Sequence, residues 1–153
     1  MKIYDTIREI LKRKGTEVWS ITPESTVYRA IEIMADKHIG ALLVIAGDKL
    51  AGIISERDYA RKVILLGKSS RTTLVSDIMT RAVISVAPGE TVDGCMRIMT
   101  NNRVRHLPVV ENEKVVGVLS IGDLVNWIMF VQKKTIEELK RHVAGLPSEG
   151  DKG

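Results

Sequence analysis

The chain has 153 residues, 44% hydrophobic and 27% charged, so it can form an ordinary globular domain without stabilising cross-links. Its single cysteine, Cys95, excludes an internal disulfide and a cysteine-rich zinc site, and favours a cytoplasmic location. No apolar run approaches the roughly 18 residues of a membrane span, and the net charge of +4 suits nucleotides or nucleic acid as anionic partners without choosing between them.

The first predicted element is an amphipathic helix. Its apolar side chains recur at helical spacing, at Ile3, Ile7, Ile10 and Leu11. A strand follows and ends at Pro23, because proline cannot donate to a strand ladder and is favoured in the first turn of a helix. Ser25 and Thr26 can cap the helix that comes next. Its apolar face consists of Val27, Ala30, Ile31, Met34 and Ala35.

Two strands and a further helix follow. Residues 41–45 are an apolar run with β-branched members, typical of a buried strand. Gly47 and Asp48 predict a hairpin turn into a second strand over residues 50–54, which Gly52 interrupts. The next helix begins after Ser55 and carries Asp58 in its first turn.

The second half of the chain repeats the first. Residues 20–58 align without a gap on residues 85–123, an offset of 65, with 12 identities in 39 positions. The register superposes Pro23 on Pro88 and Asp58 on Asp123. Such self-similarity indicates two copies of one unit. The second helix therefore has Glu90 and Thr91 as caps, and its strands cover residues 107–110 and 115–119.

The segments between and after the copies are simpler. Residues 67–73 are polar and basic and predict a linker. A further amphipathic helix near the end has its apolar face at Ile136, Leu139 and Val143, beside Lys140. Gly145 and Pro147 would end it, and the tail over 148–153 is expected to be disordered. The apolar residues just before this helix form either a partner surface or further core: Trp127, Ile128 and Val131.

Several motifs resemble those of the cystathionine-β-synthase (CBS) repeat. Residues 76–80, Ser-Asp-Ile-Met-Thr, resemble the start of such a repeat, followed at the family's spacing by Val83, Ser85 and Pro88. Residues 52–58 and 117–123 share the pattern Gly-apolar-apolar-Ser-x-x-Asp, which is similar to its end. Residues 103–109 resemble the segment before the family's second strand. The resemblance covers residues 15–131 and implies a stand-alone pair of CBS repeats, a Bateman module.

This resemblance implies an α/β (α+β) fold: two β-α-β-β-α repeats packed about a pseudo-twofold axis, with flanking N- and C-terminal helices. We predict an N-terminal helix over residues 1–14, repeat one over 15–72 and repeat two over 73–131. A C-terminal helix extension and tail would occupy residues 132–153.

The resemblance also implies nucleotide binding in two clefts, each combining the acid of one repeat with segments of the other. The first cleft is predicted to contain Ser55, Arg57, Asp58, Arg61, Thr80, Ala82, Val83, Arg105, His106 and Pro108. A carboxylate such as Asp58 can accept hydrogen bonds from both ribose hydroxyls, and an arginine fork such as Arg105 suits phosphate oxygens. Ser-x-x-Asp is equally a helix-capping arrangement.

The second cleft is predicted from the mirrored positions, which are Thr16, Val18, Ile39, Gly40, Ala41, Ser120 and Asp123. Gly40 and Ala41 stand where the other repeat has Arg105 and His106. We therefore expect this cleft to lack the phosphate cations, and to bind more weakly or to prefer a less charged ligand.

The implied function is regulatory. We expect a homodimeric sensor of AMP, ADP or ATP, with NAD as a further candidate, that acts in trans on a partner protein. The sequence contains no nucleophile elbow, Walker loop or metal-ligand cluster, so neither catalysis nor a metal is expected. Alternatives from other classes are a nucleic-acid-binding protein, suggested by charge alone, and a ligand-independent dimeric scaffold.

Overall fold

The structure is a computed structural model that describes residues 5–145. In chain order its elements are α1 Ile7–Lys14, β1 Ser20–Ile21, α2 Val27–Lys37, β2 Ala41–Ala46, β3 Lys49–Ser55, α3 Glu56–Tyr59 with a π-helical continuation Ala60–Ile64, α4 Val75–Ile78, α5 Val92–Asn102, β4 His106–Glu111, β5 Lys114–Ser120 and α6 Ile121–Val143. Ile3, Pro147 and the predicted tail over 148–153 lie outside the described residues.

Each repeat is built on an antiparallel hairpin, β2–β3 in repeat one and β4–β5 in repeat two. The two hairpins share one register, with Val44 opposite Gly52 and Val109 opposite Gly117, and both have an irregularity just after that valine. In repeat one β1 adds a short parallel strand beside β2. In repeat two the same position is a single parallel bridge between Val86 and Val109.

Of the predicted helix caps, Thr26 and Thr91 are confirmed, whereas Ser25 and Glu90 do not cap. The side chains of Thr26 and Thr91 accept hydrogen bonds from the third backbone N–H groups of α2 and α5. Ser55 and Ser120 cap α3 and α6. In each case the carboxylate of the aspartate three residues later accepts a hydrogen bond from the serine N–H. The Ser-x-x-Asp motif is therefore a capping box in both repeats.

Each core is completed by a helix that precedes the other repeat in sequence. The N–H of Ile7 at the start of α1 donates to the Glu90 carbonyl of repeat two at 2.9 Å. The N–H of Val75 at the start of α4 donates to the Ser25 carbonyl of repeat one at 2.8 Å. α1 thus completes the core of repeat two and α4 that of repeat one, so the N-terminal helix is more than a flank.

Each repeat has its own apolar core. Repeat one buries Ile21, Val27, Ala30, Met34, Leu42, Val44, Ile54, Val63, Val75, Ile78 and Met79. Repeat two buries Ile7, Ile10, Leu11, Val86, Val92, Cys95, Met99, Leu107, Val109, Leu119 and Leu124. The long helix α6 runs without interruption for 23 residues. The predicted boundary between residues 131 and 132 therefore falls inside a helix.

Candidate functional site

The first cleft lies between the start of α3 in repeat one and the segment before β4 in repeat two. It encloses about 390 Å³. Its lining residues are Gly40, Ala41, Ile53, Ser55, Glu56, Arg57, Asp58, Thr80, Val83, Ile84, Arg103, Val104, Arg105 and His106. A volume of this order is typical of small-ligand sites.

Asp58 is the acidic group of this cleft. One carboxylate oxygen, Oδ2, accepts from the N–H and the hydroxyl of Ser55, each at 3.0 Å. The other, Oδ1, lies 3.2 Å from Lys62 Nζ. Lys62 also donates to the Ile78 carbonyl at 2.9 Å, which links the π-helical continuation of α3 to α4. Asp58 is thus held in one orientation at the cleft, and its Oδ1 keeps lone-pair capacity for a further donor.

The cationic side of the cleft comes from repeat two. Two exposed arginines, Arg103 and Arg105, line the cleft. Arg103 ends α5 and has a positive φ of 54°. His106 is more enclosed, and burial lowers its pKa, helped by the positive charges of Lys14 and Arg105 and opposed by the charge of Asp123. His106 is therefore a neutral imidazole at pH 7.

The structure brings together most of the residues predicted for this cleft. Those that line it are Ser55, Arg57, Asp58, Thr80, Val83, Arg105 and His106. Ala82 and Arg61 are exposed and lie outside the lining. Pro108 is buried in β4, where its carbonyl accepts from the Val86 N–H at 3.0 Å, so it too lies outside.

The second cleft encloses about 470 Å³. It shares four lining residues with the first cleft, which are Gly40, Ala41, Ile53 and His106. Its lining residues are Lys14, Gly15, Glu17, Trp19, His38, Ile39, Gly40, Ala41, Leu42, Leu43, Ile53, His106, Val118, Ser120 and Asp123. Of the residues predicted for it, Thr16 and Val18 are outside this lining. Their neighbours Gly15, Glu17 and Trp19 take their place, because residues 15–19 are irregular rather than a strand whose alternation could be anticipated.

The second cleft contains a cation that the sequence did not indicate, Lys14, and it lies beside the acid. Its ammonium lies 2.6 Å from Asp123 Oδ2 and donates to the Val118 carbonyl at 2.7 Å. Burial alone would raise the pKa of Asp123, but the hydrogen bonds and charge of Lys14 and the hydrogen bonds from Ser120 outweigh it and lower that pKa. The acid of the second cleft is therefore already paired within the protein.

Sequence reasoning missed several lining residues. Arg103 and His38 are one such pair, since both end a helix at equivalent repeat positions. The 65-residue offset could have revealed them together. Lys14 has no counterpart in the repeat, because α1 and α4 differ in length. No sequence signal could therefore have placed its side chain beside Asp123.

Two wider properties apply to residues 5–145. Within that range no group of three or more His, Cys, Asp or Glu side chains could hold a metal ion. None of the helices described there combines the length and apolar character that crossing a membrane requires.

Comparison with known proteins identifies the family. The profile described as "CBS domain" matches twice, over residues 5–64 and 75–130. The chain is 39% identical over 150 residues to the mitochondrial CBS domain-containing protein CBSX3 of Arabidopsis thaliana, covering 92% of this chain and 72% of that one. A candidate signal-transduction protein with CBS domains from Burkholderia ambifaria is 49% identical, with a TM-score of 0.78 over 81% of this chain and 93% of its own.

A second solved structure, the CBS domain protein NE2398, is 46% identical with a TM-score of 0.79, over 82% of this chain and 98% of its own. The two profile matches correspond to the two halves that the 65-residue offset relates, and both solved neighbours have the same fold. This chain belongs to the CBS-domain family and carries two tandem CBS domains.

Proposed function

We propose that the protein is a regulatory module that binds an adenine nucleotide in the first cleft. One observation carries this proposal. The fixed carboxylate of Asp58, from repeat one, and the guanidinium groups of Arg103 and Arg105, from repeat two, line the same cleft. An acid and cations from different repeats suit a ligand that carries both a diol and a phosphate.

Each part of the ligand has a candidate partner. A ribose hydroxyl donates to Oδ1 of Asp58, which Lys62 also contacts. The guanidinium groups of Arg103 and Arg105 bind the phosphate, as arginine forks do for phosphate oxygens. The adenine lies against the apolar lining at Ile53, Val83 and Ile84. AMP, ADP and ATP fit this scheme, and NAD is a further candidate.

The two clefts differ in the position of the lysine that pairs with their acid. In the first cleft the cation on Asp58 comes from its own helix and touches the oxygen that the capping serine leaves free. In the second cleft Lys14 pairs with the same Asp123 oxygen that accepts the Ser120 N–H. Lys14 lines the second cleft, whereas Lys62 lies outside the lining of the first. A ribose at Asp123 would therefore compete with Lys14, and we expect the first cleft to fill first.

The biological role follows from the site's position between the two repeats. A ligand that touches both repeats favours one arrangement of them, and a partner protein in trans can respond to that arrangement. The module is proposed to act as a homodimer and without catalysis, since binding alone accounts for the residues in the cleft.

Isothermal titration calorimetry with AMP, ADP, ATP and NAD tests the proposal. We expect saturable binding by at least one of them. Arg105→Ala or Asp58→Asn should weaken it about tenfold or more, the usual consequence of losing a hydrogen bond to a charged group. Asp123→Asn serves as the matched control and should change the affinity of this first site little.

Two results would count against it. Absence of heat with all four nucleotides would favour the ligand-independent scaffold. Equal losses in Asp58→Asn and Asp123→Asn would reject the asymmetry between the clefts. A nucleic-acid binder would instead shift duplex or single-stranded probes in a gel, with strong dependence on salt.

A further inference from the structure

The outer side of α6 carries an apolar stripe that no other part of residues 5–145 covers. Only Leu124 of this helix is buried. Met129, Ile136, Leu139 and Val143 are between 52% and 87% exposed, and Val125 is 41% exposed. The family match ends at residue 130, so the second half of the stripe lies beyond the CBS domain itself. Helices in water depend on packing of such a face for most of their stability.

The stripe follows a heptad repeat. Val125, Met129, Gln132, Ile136, Leu139 and Val143 are separated alternately by four and three residues. That spacing is the coiled-coil seam, with Met129, Ile136 and Val143 at the a positions. Val125, Gln132 and Leu139 then occupy the d positions. β-branched side chains at a and leucine at d favour a parallel two-stranded arrangement, and a polar residue within the seam specifies register.

The charges beside the seam distinguish the possible partners. The e positions hold Asn126, Lys133 and Lys140, and the g positions hold Ile128, Thr135 and His142. In a parallel pair each g faces an e of the other helix, so Thr135 meets Lys140 without repulsion. In an antiparallel pair the lysine flanks of the two helices face each other, which is unfavourable. The seam contains no acidic residue that would need a cation on its partner.

We propose that α6 pairs with α6 of a second copy of this chain as a parallel, in-register two-stranded coiled coil over residues 125–143. The two Gln132 amides would face each other across the seam. This deepens the homodimer of the proposed function by naming its surface and direction, and it requires no bound nucleotide.

Cysteine cross-linking tests the direction and register. Ile136→Cys places a thiol at an a position, where the two copies meet, and should form an intermolecular disulfide within minutes of mild oxidation. Lys134→Cys, on the opposite side of α6, is the matched control and should cross-link little. The native Cys95 does not interfere, because it is fully buried and its thiol pKa is raised to about 12 by burial and by Glu90.

Light scattering on the wild-type protein and on an Ile136→Asp, Leu139→Asp double variant completes the test. The wild type should have twice the 17.0 kDa mass of one chain. The double variant should dissociate at least tenfold more readily, with an unchanged circular dichroism spectrum, because both side chains are exposed. A monomeric wild type would overturn the inference, as would equal cross-linking of the two cysteine variants. If the wild type is a dimer but Ile136→Cys fails to cross-link, the α6 pairing is rejected while the proposed nucleotide binding is unaffected.

Discussion

His106 shows how one residue can couple protonation to stability. It lines both clefts, and burial keeps its imidazole neutral in the folded protein. The groups that act on it electrostatically are Asp123, Lys14 and Arg105. Its pKa is lowered in the fold, so the unfolded chain, with a value near 6.5, binds more protons over the window between the two. Stability from this group is therefore complete above that window and lost as the pH falls through it.

The resulting prediction concerns the free energy of unfolding as a function of pH. As the pH falls from about 7 through the ordinary histidine value of about 6.5 and below it, urea unfolding of the wild type should show a steeper loss of stability than unfolding of His106→Gln, which cannot titrate. The Asp123 contribution is lost only at lower pH, because its pKa is lowered from the ordinary carboxylate range. Parallel curves for the two proteins over this interval would show that His106 is not the group responsible.

At the scale of elements, local sequence signals predict most of the fold. The threonine caps, the hairpins and the glycine within β3 and β5 all depend on residues close together in sequence. The exchange of α1 and α4 depends on contacts across most of the chain, such as Ile7 with Glu90. Periodicity predicts that α1 has an apolar face, but it does not identify the core against which that face packs.

In the clefts, the sequence predicts the residues that belong to repeated motifs but not those in irregular or unmatched segments. The aspartates, serines and Arg105 lie at repeat-related positions within clear motifs, so their convergence was predictable once two copies were assumed. Thr16 and Val18 were wrong choices of lining residue, because the irregular segment between α1 and β1 has no alternation to read. Lys14 was missed because α1 has twice the length of α4, and its end has no counterpart in the repeat.

Gly52 and Gly117 provide a matched pair at the point where the exchanged segments meet the hairpins. A Cβ on Gly52 would lie 2.7 Å from the backbone oxygen of Thr80, which hydrogen-bonds to β3. A Cβ on Gly117 would lie 2.7 Å from a terminal methyl of Leu11, which can rotate away. Gly52→Ala should therefore destabilise by about 1–3 kcal/mol, as overpacking usually does, and Gly117→Ala by clearly less. Urea denaturation measures both, and equal losses would contradict the difference in contact.

At the scale of the whole molecule, the two clefts are not independent. Gly40, Ala41, Ile53 and His106 contribute to the lining of both. A ligand that orders this shared wall from one side changes the surface offered to the other side. Binding to the folded state alone stabilises it, by about 2.7 kcal/mol when the ligand is at one hundred times its Kd. Ligand stabilisation should thus spread over both repeats rather than remain local.

Lys14 provides the means to test the inequality of the clefts in one titration. Lys14→Met keeps most of the apolar stem but removes the ammonium that pairs with Asp123 at 2.6 Å, so the carboxylate becomes available to a ribose. We expect one nucleotide per chain in the wild type and two in Lys14→Met, with Trp19 fluorescence reporting the second event because Trp19 lines that cleft. Lys62→Met, which removes the cation from Asp58 instead, is the control and should leave the second cleft closed. An unchanged stoichiometry in Lys14→Met would mean that the ion pair is not what keeps the second cleft empty.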